Sequence, residues 1–210
     1  MLVRRPRSIS EKNIERGFFG DGELVQAVLT AYDFSPCKYF VDVGGNKGQL
    51  AAGILNAPPD MSGTLFDLVY ATEEAPELLK KLGVSDRCAV IGGDFFKAVP
   101  TGGDLYIISR VLFNWNDAQA LKILKQVCSS MEARSRLLLL EMLLPADGPA
   151  EAELATSLNL LALLGVLLRT EEEYIALLQQ AGFRQPTVMR LPGTEFYLIE
   201  ARPNFFDTAA

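Results

Sequence analysis

From Tyr39 onward, short apolar runs alternate with stretches whose apolar residues recur every three or four positions. The runs have the length and composition of strands: "YFVDV" (Tyr39 to Val43), "GTLFDL" (Gly63 to Leu68), a short strand within "CAVIGGDFF", "DLYIIS" (Asp104 to Ser109) and "SRLLLLEMLL". Continuous apolar runs of that size mark strands buried on both faces. Between them, "GQLAAGIL", the stretch around "EEAPELLKKL" and "NDAQALKILKQVCSSM" carry helical periodicity, the last with Asn116 or Asp117 as N-cap. Two further helical stretches follow, Leu154 to Leu164 and Thr170 to Ala181, the second stopped by Gly182. The pattern closes with "PTVMRL" and "EFYLIEA", separated by the turn "PGT".

Strands alternating with helices predict an α/β fold: a mostly parallel, doubly wound sheet covered on both faces. The closing pair, joined by a short turn, predicts a hairpin whose last strand runs antiparallel. Residues 1–35 hold one helix, "GELVQAVLTAY", and no domain of their own. Residues 36–203 form the α/β domain and 204–210 a tail. No internal repeat or low-complexity linker interrupts it.

Charge and composition narrow the chemistry. A net charge of −6 argues against a nucleic-acid surface. Three cysteines, Cys37, Cys88 and Cys128, lie far apart with no CxxC pair, which suits a reducing compartment and neither a disulfide framework nor a zinc site. "MLVRRPRSIS" has no signal-peptide core, and the longest apolar stretch, Leu154 to Leu168, is short for a membrane span and interrupted by Thr156, Ser157 and Asn159. These features predict a soluble cytoplasmic protein with no membrane partner and no metal. One absence weighs more: the chain contains no histidine, which removes imidazole bases, Ser-His and Cys-His pairs and His-ligated metals.

Ligands of doubly wound sheets sit beyond the carboxyl ends of the strands, near the switch point. There "FVDVGGNKGQL" places Gly44, Gly45 and Gly48 between first strand and first helix, where backbone must approach a ligand closely. Asn46 interrupts them but tolerates left-handed geometry. Neither GxxxxGK[ST] nor GxGxxG fits this spacing. Asp42, two residues before the first glycine, suits a cation better than a pyrophosphate. Asp67, ending the second strand, is placed for a ribose diol, and Asp94-Phe95 offers an acceptor for an exocyclic amine and a face for adenine. Three acids at successive strand ends point to S-adenosylmethionine (SAM), which has an ammonium, a sulfonium and a ribose diol but no phosphate.

Together "VDVGGNKGQLAAGIL", "GTLFDL", "GDFFKAVPTGGDLYIISRVLFNWNDAQALKIL" and "RTEEEYIALLQQAGF" resemble the SAM-dependent O-methyltransferases of the caffeate, hydroxyneurosporene and polyketide-tailoring group, over roughly residues 22 to 202. The resemblance implies a Rossmann-like methyltransferase fold with a reversed last strand and SAM as cofactor, leaving as S-adenosylhomocysteine (SAH). It implies cofactor contacts at Gly44, Asp67, Leu68, Asp94 and Phe95, with Trp115 near the adenine.

The chain departs from that pattern where protons are moved. Phe113 holds the place of the histidine base, Asn114 that of an aspartate, and Ser109 that of a lysine closing on the cofactor. Of the family's two supporting glutamates one falls at Glu141 and the other at Leu168. Glu141 is either a catalytic carboxylate or a cap for a neighbouring loop. The resemblance also implies an N-terminal dimerisation domain, which residues 1–35 are too short to be. The chain is then naturally short, a partner-dependent subunit or a piece of something longer. Two readings stand: O-methylation of a small natural-product-like substrate by proximity, or a SAM- or SAH-binding homologue that does not methylate and serves as partner subunit, regulator or catalyst of a cofactor-assisted rearrangement. A nicotinamide oxidoreductase fits poorly, because no Tyr-x-x-x-Lys spacing occurs. Finally, Leu154, Leu158, Leu161 and Leu164 or Gly165 form one helical stripe while Leu160, Leu163 and Leu167 add a second arc, which predicts a homodimer or partner chain through the 154–168 helix.

Overall fold

The computed structural model describes residues 21–57, 60–144 and 168–205. In chain order the elements are α1 (Asp21–Ala31), β1 (Tyr39–Val43), α2 (Gln49–Asn56), β2 (Ser62–Asp67), α3 (Ala75–Lys81), β3 (Cys88–Gly92), β4 (Leu105–Ser109), α4 (Asp117–Ser130), β5 (Arg136–Leu144), β6 (Arg169–Thr170), α5 (Glu171–Gln180), β7 (Phe183–Arg190) and β8 (Phe196–Pro203). Single 3-10 turns occupy Val69–Ala71 and Leu112–Asn114.

The sheet runs β3-β2-β1-β4-β5-β8-β7, with the two-residue β6 beside the end of β5. Strands β1 to β5 are parallel, and β8 is antiparallel to both of its neighbours. The expected hairpin and reversed strand are therefore present. Edge strand β7 shifts register between Arg184 and Thr187, where Gln185 takes a φ of 51° next to Pro186. Proline cannot donate to a ladder, so an edge strand tolerates the break that a central one would not.

Side-chain alternation divides the core into two layers. Phe40, Leu65, Leu105, Ile107, Leu138 and Leu140 pack with α1, α2 and α3 on one face. Val41, Val43, Tyr106, Ile108, Leu137 and Leu139 pack with α4 and α5 on the other. The four consecutive leucines of β5 thus serve both layers, which is why the run shows no period of two. Helix starts follow the local chemistry. Asn116 caps α4 by accepting from the Gln119 amide, and Thr170 with Glu173 forms a reciprocal capping box on α5. The helix expected at Leu154 to Leu164 lies outside the described residues, as does the surface proposed for a partner at 154–168 except for Leu168, which is half-buried against the α1–α3 layer. No helix among those described is long and apolar enough to cross a membrane.

Candidate active site

Parallel strands β1, β2, β4 and β5 end on the same side of the sheet, and the order reverses between β1 and β4. The turn leaving β1 bends tightly there: Gly44, Asn46 and Gly48 have φ of 80°, 51° and 85°. A side chain on the glycines would also collide. A Cβ on Gly44 would stand 2.5 Å from Val111 Cγ2, and one on Gly45 2.5 Å from Asp42 Oδ2. The side chains that crowd this turn come from three elements: Asp42 from β1, Leu65 from β2 and Val111 from the loop after β4.

Asp42 lies under the turn with 1% of its surface exposed. Among the described residues neither of its oxygens has a hydrogen-bonding partner. Burial, with the nearby Asp67 charge adding and Arg110 opposing, raises its pKa to about 7. A desolvated carboxyl with no donor suits a cationic ligand, because pairing with one removes the cost of its charge.

Asp67 is placed differently. Its Oδ2 accepts from the Asn46 amide at 3.0 Å and its Oδ1 from the Leu68 amide at 2.7 Å. Its carbonyl accepts from Gly93, while Gly44 donates to the Phe66 carbonyl, so the ends of β1, β2 and β3 are tied together. Each carboxylate oxygen has a lone pair beyond those amides. Burial raises the Asp67 pKa and the two amides oppose it. Leu68 is half-buried, whereas Val69 and Tyr70 beyond it are 68% and 57% exposed.

After β3, Asp94 turns back on its own loop, accepting from the Phe96 amide at 3.0 Å and approaching Lys97 Nζ at 3.4 Å. Phe95, Phe96 and Trp115 form an aromatic group. The indole stands edge-on to Phe96 with ring centroids 4.8 Å apart and to Phe95 at 6.3 Å. Ser109 ends β4 with a buried hydroxyl that has no partner among the described residues.

The loop Val111–Asp117 straddles the sheet's two layers. Phe113 is half-buried against the α1–α3 layer, Trp115 packs toward the α4–α5 layer, and Leu112 between them is fully buried. Asn114 is exposed and its amide group donates to the Arg110 carbonyl. Glu141, wholly buried on β5, accepts from the Val111 and Leu112 amides through Oε1 at 3.1 and 2.8 Å. Burial lifts its pKa to about 8 against those amides and the charges of Arg169 and Arg110. Its placement caps the loop, and its Oε2 has no partner among the described residues.

Two residues of this region escaped sequence reasoning. Arg110, the residue after β4, has a φ of 57° and its charge acts on both Asp42 and Glu141. Arg169 is 3% exposed and donates to Leu112 O, Trp115 O and Asp117 Oδ1. The one signal for Arg169 was a charge closing the apolar run "LLALLGVLLRT". Two shallow depressions, about 350 Å³ on the outer face of α4 and about 490 Å³ at the end of α1, include none of the predicted site residues. The strand ends are the candidate site, because the Asp42 carboxyl, which has no hydrogen-bonding partner among the described residues, and the positions where only glycine fits, Gly44 and Gly45, meet there.

The class these features define is reached by comparison too. Residues 12–184 match the family model for the O-methyltransferase domain, and the chain belongs to that family. The mitomycin biosynthesis 6-O-methyltransferase of Streptomyces lavendulae is 42% identical over 167 residues, which cover 79% of this chain and 48% of that protein. Aclacinomycin 10-hydroxylase RdmB of Streptomyces purpurascens is 36% identical over 159 residues, 75% of this chain and 42% of that protein. The solved structure of human N-acetylserotonin methyltransferase in complex with SAM superposes with a TM-score of 0.75 at 28% identity, covering 95% of this chain and 60% of that one. The chain spans about half the length of the curated relatives it matches.

Proposed function

We propose that this chain binds SAM at the ends of β1, β2 and β3 and directs methyl transfer to an oxygen of a small natural-product-like acceptor. The observation that carries the reading is Asp42, a buried carboxyl without a donor, beneath a turn that only glycine fits. The donor set suits the cofactor: Asp42 for the ammonium, Asp67 for the ribose hydroxyls, and Asp94, Phe95 and Trp115 around the adenine, with Gly44, Gly45, Gly48 and Leu68 lining the approach. SAM supplies, when bound, a methyl group on a positively charged sulfur, and SAH is what remains once the methyl has gone.

This chain's residues orient the acceptor rather than deprotonate it. Phe113 brings an apolar ring where an imidazole would act, and Glu141 has one oxygen committed to the loop amides. A general base contributes about 10²–10⁴-fold, or about 3–5 kcal/mol. Orientation alone supplies about 7–11 kcal/mol. Ionising a phenol of pKa near 10 costs about 4 kcal/mol at pH 7, which an acceptor already acidic avoids. The reading therefore selects acidic hydroxyls and enols, whose proton has left to solvent before the methyl arrives.

A second reading, SAM or SAH binding without methyl transfer, gains support from one relative named for a hydroxylation and from the absence of histidine in this chain. Calorimetry with SAH and a labelled-methyl assay against phenolic and enolic panels separate the two. Asp67→Ala is expected to weaken SAH about 10–100-fold, the effect of leaving buried ribose hydroxyls unpaired at about 1–3 kcal/mol. Unaltered affinity in that variant would remove the ribose assignment.

A further inference from the structure

The loop bearing Phe113, Asn114 and Trp115 is held by two buried ionisable side chains, a carboxyl and a guanidinium, from opposite directions. Glu141 takes the Leu112 amide at 2.8 Å, while Arg169 reaches the carbonyl of the same residue at 3.0 Å. The guanidinium then spans to the Trp115 carbonyl at 2.6 Å and to Asp117 Oδ1 at 2.9 Å. Its stem comes from β6, which the Leu143–Arg169 pairing fixes against β5, and its charge lies 5.7 Å from the Tyr174 ring centroid.

We infer that Arg169 is a positioning residue: its three-armed grip on Leu112, Trp115 and Asp117 sets Trp115 against the cofactor side and Phe113 against the acceptor side. The meaning of those two sides rests on the methyltransferase reading; the grip itself does not. Burying a guanidinium costs several kcal/mol unless its partners are excellent. The one carboxylate that it bonds here, on Asp117, is 80% exposed, so water screens much of that attraction. An apolar side chain would fill the same volume more cheaply. What arginine adds is a rigid planar fork able to hold several acceptors at fixed angles, which lysine lacks. The arrangement favours one loop geometry more than it favours the folded state in general.

Trp115 is the only tryptophan in the chain, so its emission reports on this loop alone. The test compares wild type, Arg169→Lys, Asp117→Asn and Thr170→Ala, the last removing the neighbouring helix cap without touching the fork. With no ligand present, Arg169→Lys is expected to shift emission to the red and to raise acrylamide quenching. In SAH calorimetry it should lose about 10-fold in affinity, the scale of one charge-assisted hydrogen bond. Asp117→Asn and Thr170→Ala should stay within about 2-fold of wild type, consistent with an exposed partner. A folded Arg169→Lys protein with wild-type emission, quenching and affinity overturns the inference, as does Thr170→Ala matching its effects. Should Arg169→Lys not fold, Arg169→Ala with millimolar guanidinium decides. Recovery of the Trp115 signal by guanidinium but not sodium supports the grip, and no recovery overturns it. Wild type that binds neither SAM nor SAH sinks the methyltransferase reading, while the ligand-free Trp115 measurements still judge the grip.

Discussion

Adding a single methyl group at Gly45 tests the packing beneath the cofactor turn. The alanine Cβ would stand 2.5 Å from Asp42 Oδ2, 2.7 Å from its Cγ and 2.8 Å from Leu65 Cδ1. Both neighbours belong to central strands that pair on each side, so neither can retreat without moving the sheet. Overpacking of that kind costs about 1–3 kcal/mol. For a domain of this size it should lower the melting temperature by about 2–12 °C. The same displacement moves Asp42, so SAH affinity should fall along with stability. Gly22 provides the opposite case: it lies in α1 with nothing among the described residues within 4 Å of an added Cβ. There Gly→Ala should raise stability by up to about 1 kcal/mol through helix propensity. Scanning calorimetry of the two variants reads both signs. A Gly45→Ala protein melting no lower than wild type, with unaltered SAH binding, would refute the claim that Asp42 and Leu65 enforce a glycine there.

Three further expectations follow from the titrating groups. Asp42 and Glu141 hold their protons more tightly folded than in the ordinary carboxyl range of 3.8 and 4.5, with folded values of about 7 and about 8. Their contribution is complete below about pH 4 and drains away as pH rises from there through about 7 and 8, so ligand-free protein should lose several degrees of melting temperature between about pH 4 and pH 8. Glu141→Gln should match wild type near pH 4 and exceed it by a growing margin up to about pH 8, because the amide oxygen can keep both loop amides without a carboxyl to ionise. Glu141→Ala, which strands those amides, should cost about 2–4 kcal/mol near pH 4 and less near pH 9, where wild type has itself lost the protonated carboxyl's contribution. Any methylation rate should track the acceptor's own ionisation; a limb near neutrality that stays fixed across acceptors of different pKa would instead implicate a carboxyl such as Glu141.

Legibility in the sequence followed the range over which each interaction acts. Strand β1 lies where "YFVDV" placed it, because burial on both faces writes itself into consecutive residues. Asn116 is the cap of α4 because its partner, Gln119, is only three residues away. β2 runs from Ser62 to Asp67, a residue earlier than expected at each end, since the Leu68 amide turns to Asp67 and leaves the ladder. β6 was missed because two residues show no period. The Arg169 grip was invisible for a deeper reason: two of its partners are carbonyls 57 and 54 positions away, and backbone acceptors leave no trace in residue identity. Glu141 stood open between capping and chemistry because an acid in an apolar strand announces only that something nearby needs an acceptor.

The place of β8 carries a consequence for how the protein is made. The last described strand fills an inner position between β5 and β7, and among the described residues β7 pairs with nothing else in the sheet. A ribosome must therefore deliver both hairpin strands before either can dock. Until Pro203 has emerged, β5 shows a bare row of amides and carbonyls beside its leucines, the kind of edge that recruits foreign strands. Nascent chains halted before that point should depend on chaperones far more than chains only slightly longer.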